Sequence, residues 1–183
     1  MASTTSTAPT CAPTIKEVEK GRNQVDNGSF ETGNAPWARS STNAQISRIV
    51  SKSYEGCAAF VFQPSANTGN TMTRSANLTS NSGITPASTH DLTFYLGRKS
   101  TASSSSSVAV TAAVRPQAGT AWTQSFTACN LVGANGSVWK KYTANNVKFN
   151  SGAPLPLMFT VTWSGATTTD STDDVLIDGV MVI

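Results

Sequence analysis

Charge is scarce in this chain of 183 residues: Asp, Glu, Lys and Arg together make up 13%, with 13 basic and 10 acidic residues giving a formal net charge of +3. The basic residues are spread out, with Arg98-Lys99 and Lys140-Lys141 the only internal basic pairs. A nucleic-acid footprint would be denser, so no nucleic-acid partner is expected. A long charged helix or coiled coil needs many more Glu, Lys and Leu. No run of about 18 apolar residues exists to cross a membrane. Histidine occurs once, as His90, and cysteine three times, as Cys11, Cys57 and Cys129. That set has no zinc-ligand spacing. It permits one disulfide at most, with three pairings open; Cys57 and Cys129 both sit in strand-like runs and are the favoured pair. The glycines form neither a dinucleotide nor a Walker pattern. No Gly-x-Ser-x-Gly elbow accompanies His90-Asp91, so a charge relay there lacks a nucleophile and the pair reads as surface polar groups.

What is abundant is the small hydroxyl: 26 Thr and 24 Ser. The 38% of hydrophobic residues suffice for one domain with its own core. Residues 1–14, MASTTSTAPTCAPT, cannot bury enough apolar surface to fold and read as a Ser/Thr/Pro linker suited to O-glycosylation, in a fungal style. They lack the basic and apolar regions of a signal peptide, so a signal and a partner domain are expected upstream. Three sequons, at Asn27, Asn77 and Asn135, add to the expectation of a secreted, extracellular glycoprotein.

Residues 15–22 read as one helical turn or an extended lead-in. From there short runs of β-branched and aromatic residues recur between Gly, Asn, Ser and Pro clusters. Strands are expected near 23–26, 45–50, 57–63, 71–78, 90–98, 107–115, 121–129, 138–149, 156–163 and 175–183. Ten such runs without a helical period predict an all-β fold, an antiparallel β-sandwich spanning residues 15–183. Alternation places Leu92, Phe94 and Leu96, then Val108, Val110, Ala112 and Val114, then Leu157, Phe159 and Val161, on core faces.

The segment VDNGSFETGNAPW, Val25 to Trp37, resembles the opening signature of carbohydrate-binding modules of families four, nine, sixteen and twenty-two. The closing LIDGVMV, Leu176 to Val182, is similar to their terminal strand, and Lys52 to Ala59 to the start of their third. The resemblance implies a galactose-binding-like jelly roll over residues 23–183, with Trp37 and Trp139 as core tryptophans. Two departures stand out: Gly179 lies where a second Asp is often found, and the Ser-Gly step is stretched over Ser53-Tyr54-Glu55-Gly56.

The resemblance also implies a structural calcium held by Glu31, Asp178 and main-chain oxygens near Ser53 or Tyr54. Calcium takes six to eight oxygens and readily mixes carboxylates with carbonyls. The competing reading has Glu31 capping backbone N–H groups and Asp178 paired with a base or solvated. A glycosidase pair formed by the same two acids would need an open cleft between them, and strand-end residues under loops suit a metal better.

Sugar rings stack their C–H faces on aromatic side chains. Parity sets Tyr95 and Arg115 outward, and Tyr142 outward if Trp139 is inward. Trp122 and Trp163 share parity with core residues but border loops. Tyr95, Arg115, Trp122, Gln124, Tyr142 and Trp163 are therefore the candidate ligand residues. The functional expectation is a noncatalytic, monomeric polysaccharide-binding module targeting an attached domain. The alternative is a structural or adhesive cell-surface sandwich without sugar affinity.

Overall fold

A computed structural model describes residues 25, 28, 30, 37–39, 48–49, 53–54, 58–62, 71–78, 88–98, 107–114, 122–127, 132–133, 136–137, 139–148, 155–164 and 174–183. The linker at 1–14, the lead-in at 15–22, Glu31, Arg115 and all three cysteines lie outside them. Among the described residues every regular element is a strand: β1 (Ala38–Arg39), β2 (Arg48–Ile49), β3 (Ala59–Phe62), β4 (Thr71–Leu78), β5 (Thr89–Arg98), β6 (Ser107–Val114), β7 (Trp122–Thr127), β8 (Val132–Gly133), β9 (Gly136–Ser137), β10 (Lys140–Lys148), β11 (Leu155–Ser164) and β12 (Val175–Val182).

Two five-stranded antiparallel sheets form, in the orders β1-β4-β11-β6-β7 and β10-β5-β12-β3-β2, with β8 and β9 a small separate hairpin. The expected antiparallel β-sandwich is therefore the observed fold. The expected strand at 71–78 has the observed bounds, and most of the long strands fall within a residue or two of expectation.

Alternation explains why the sheets pack. Leu92, Phe94 and Leu96 of β5 face Val110, Ala112 and Val114 of β6 and Leu157, Phe159 and Val161 of β11 across one core, and all nine are buried. Phe94 is its centre. Its ring meets Phe126 and Phe159 edge-on, both at 5.0 Å between centroids, and stacks on Tyr142 at 5.6 Å. Burying one such side chain contributes about 1.5–3 kcal/mol.

Trp37 is a core residue as expected, 6% exposed and packed against Phe30 and Phe159. Phe30 adopts a positive φ of 59° and is fully buried, with its ring also against Phe60. The opening motif therefore anchors itself through Phe30. Next to that anchor the Gly28 carbonyl accepts a hydrogen bond from Val180 N at 3.0 Å, joining the first motif to the last strand.

Candidate functional site

The β10-β5-β12-β3-β2 sheet presents its outer face on the parity opposite the core. On β5 that face carries Asp91, Thr93, Tyr95 and Gly97; on β12 Asp178 lies opposite Tyr95 and Leu176 opposite Gly97; on β10 Lys141 lies opposite Tyr95. Tyr95 is thus outward, as parity predicts, and half-buried.

What half-buries it is Tyr54, from the segment preceding β3. The two rings stack at 3.6 Å with planes 15° apart, and Tyr54 remains 40% exposed. Trp139 completes the group, its ring 6.1 Å from Tyr54 and inclined at 62° to it.

Two glycines let these rings approach the backbone. A Cβ at Gly97 would meet three Trp139 ring carbons at 3.0–3.1 Å, near-equal distances that place the indole face-on above the strand. A Cβ at Gly179 would meet the edge of Tyr95 at 2.9 Å. Trp139 therefore lies as a floor while the Tyr54–Tyr95 pair rises beside it as a wall. The aromatic corner that results is open to solvent at Tyr54.

Beneath the wall sits Asp178, fully buried. Its Oδ2 accepts the Tyr54 N–H at 2.8 Å, and its Oδ1 accepts the N–H of Gly179 at 2.7 Å. Gly179 has φ +57°, and the β12–β5 register shifts between Asp178 and Met181. The carboxylate thus fixes both the irregularity in β12 and the backbone of Tyr54. A carboxylate combined with main-chain oxygens would be a donor set of the kind calcium takes. Among the described residues no three His, Cys, Asp or Glu side chains gather; Glu31 lies outside them, so its expected meeting with Asp178 does too.

The expected ligand residues divide between the two sheets instead of forming one cleft. Tyr95 and Tyr142 are on one sheet; Trp122, Gln124 and Trp163 are on the other. Tyr142 is not outward: it is 8% exposed, between Phe94 and Phe126, with Lys140 Nζ 5.5 Å from its ring centre. Trp139 is not a core tryptophan. Its outward placement and the inward placement of Tyr142 follow from one cause, because residues 139 and 142 have opposite parity and the bare backbone of Gly97 takes the indole.

Trp163 does not protrude; at 2% exposure it offers no face to a ligand. Trp122, opposite Val114, is partly buried and packs against the core. Gln124 is exposed, yet it lies opposite the fully buried Ala112, so it has the inward parity on an edge strand. The described outward positions of β6, β7 and β11 carry Ala109, Thr111, Ala113, Thr123, Ser125, Pro156, Met158, Thr160 and Thr162, none of them aromatic, with Thr111 Oγ1 and Ser125 Oγ hydrogen-bonded at 3.0 Å. The Asp91 carboxylate serves the fold, since its Oδ1 accepts the N–H of Asn146, whose φ is +56° at the bulge in β10.

The sequence assigns Tyr54 a main-chain oxygen and nothing more. Its neighbourhood carries no sign of the ring's role, because its partners Tyr95 and Trp139 come from distant strands.

No protein-family profile matches the chain, and no curated protein does. Solved structures do match. One is a family 61 carbohydrate-binding module in complex with β-1,4-galactotriose, at 19% identity and a TM-score of 0.57, covering 88% of this chain and 98% of that one. Another is the second family 22 xylan-binding domain of a Paenibacillus barcinonensis protein, at 13% identity and a TM-score of 0.53, covering 85% and 96%. A third holds family 22 and GH10 modules of a Clostridium thermocellum xylanase complexed with xylohexaose, at 11% identity and a TM-score of 0.53, covering 88% of this chain and 28% of that one. These likenesses show the fold: the chain is an antiparallel β-sandwich of the kind on which carbohydrate-binding modules are built.

Proposed function

We propose that the chain is a noncatalytic carbohydrate-binding module that holds an attached secreted domain on polysaccharide. The observation that carries this reading is the aromatic corner of Tyr54, Tyr95 and Trp139 on an outer sheet face. Stacking a sugar ring there removes apolar surface from water at roughly 25 cal/mol per Å². The Tyr hydroxyls and the indole N–H supply polar contacts at the rim. Solved structures of the same fold include a galactotriose complex and xylan-binding domains. A module of this kind acts by raising the effective concentration of its partner on an insoluble polymer; in the Clostridium thermocellum structure a similar module accompanies a GH10 module.

We further propose a structural calcium held by Glu31, Asp178 and main-chain oxygen of Ser53 or Tyr54. Its role is to neutralise a buried carboxylate and fasten the Tyr54 segment to the sheet. It takes no part in chemistry. Depletion of the protein from solution by β-glucan, xylan, galactan, chitin and mannan tests the function: retention by at least one polymer is expected. Failure on all of them would favour the adhesive or structural sandwich.

A further inference from the structure

The aromatic corner has a cation built into its rim. Lys141 is exposed and is the direct cross-strand partner of Tyr95 on the outer face. Directly opposed side chains have Cβ atoms about 4.5–5.5 Å apart. Trp139 precedes Lys141 by two residues, so both stand on the same face of the chain about 6.8 Å apart along it. Lys141 thus flanks the floor and faces the wall.

Among the described residues, the acids near it are engaged elsewhere. Asp178 is fully buried, and its oxygens take the N–H groups of Tyr54 and Gly179. Asp91, four residues before Tyr95 on the same strand, holds Asn146 N. A flexible four-carbon stem ending in an ammonium is therefore available beside the stacking surface. Lys140, by contrast, reaches the opposite side of β10, over the Tyr142 ring. Lysines also protect an edge strand such as β10 against pairing, a purpose served by either side chain and indifferent to what stands next to it.

We propose that the corner selects a glycan bearing a carboxylate, a uronic acid unit, with its pyranose ring on Trp139 and its carboxylate at Lys141. This rests on the polysaccharide-binding reading above. A neutral hexose carries a hydroxymethyl group at the corresponding ring edge and leaves the ammonium without a charge partner.

The test is affinity electrophoresis in glucuronoxylan and in the same polymer after chemical reduction of its carboxyl groups to hydroxymethyl groups. The parent should bind the native polymer about two- to five-fold more tightly, the range of one exposed ion pair. The difference should vanish in Lys141→Gln and shrink in raised salt, which screens exposed charges; binding of the reduced polymer should be equal in parent and variant. Equal retention of the parent by both polymers overturns the inference and leaves the polysaccharide reading standing. Binding to neither overturns the inference as well, and the reading is then decided by the neutral polymers. Because Lys141 is exposed, the variant's melting curve should overlay the parent's, and that overlay makes an unchanged preference a contradiction.

Discussion

The carbonyl of Gly28 and the N–H of Val180 are hydrogen-bonded at 3.0 Å, so Gly28 of the opening motif lies against the last strand two residues beyond Asp178. A Cβ at Gly28 would overlap the Val180 carbonyl oxygen, a backbone atom that cannot turn aside. Gly28→Ala should therefore destabilise the domain by about 1–3 kcal/mol, the usual cost of overpacking. Chemical denaturation should show a lower midpoint at an unchanged slope; a midpoint equal to the parent's would mean that the two motifs do not meet in this way.

Gly179 departs from the resembling families, and the structure gives the reason. Its φ of +57° is unfavourable for other residues, and a Cβ there would press on Tyr95. Gly179→Ala should cost about 1–3 kcal/mol and should weaken polysaccharide retention by shifting the wall. Restoring Asp by Gly179→Asp should be no better tolerated. A variant with parental melting and parental retention would contradict this role.

Tyr142 and Tyr54 should behave oppositely. Tyr142→Ala empties a buried position beside Phe94 and Phe126 and should cost about 3–5 kcal/mol. Tyr142→Phe, which keeps the buried ring, should cost less. Tyr54→Ala removes a 40% exposed ring and should change melting far less. Thermal denaturation of the three variants checks the order.

How far the residues themselves disclose this arrangement differs by element. Strands β4, β5, β6 and β11 are legible because period-two alternation needs only neighbouring residues. The core set around Phe94 follows from it. Strand β10 misleads: its faces depend on which of Trp139 and Tyr142 turns inward, and Gly97, from another strand, decides that. A bulge between Ala144 and Val147 further breaks its alternation. The corner is only partly legible. Tyr95 declares its face locally, but Tyr54 sits 41 positions earlier in a stretched loop. The two hydrogen bonds of Asp178 and the bare backbone at Gly179 help bring the rings together.

Calcium should stabilise the fold by mass action, since an ion bound only by the folded chain shifts the unfolding equilibrium. Chelation should lower the melting temperature of the parent. Asp178→Ala leaves two part-buried main-chain N–H groups without their acceptor and should cost at least about 2 kcal/mol. Its melting temperature should no longer respond to chelator. An unchanged parental melt after metal removal would refute the calcium proposal without touching the hydrogen bonds of Asp178.

If polysaccharide is held at the corner of Tyr54, Tyr95 and Trp139, removing the exposed wall and the floor must abolish retention while leaving the other sheet's contribution untouched. Affinity-gel retention of Tyr54→Ala, Trp139→Ala and the double variant decides this, on whichever polymer retains the parent, alongside Trp122→Ala as a probe of the opposite sheet. Each single variant should be retained less, the double variant should migrate as it does in a gel without polymer, and Trp122→Ala, if folded, should be retained like the parent. Full retention of the double variant with loss in Trp122→Ala would be incompatible with a site at the corner and would move it to the opposite sheet.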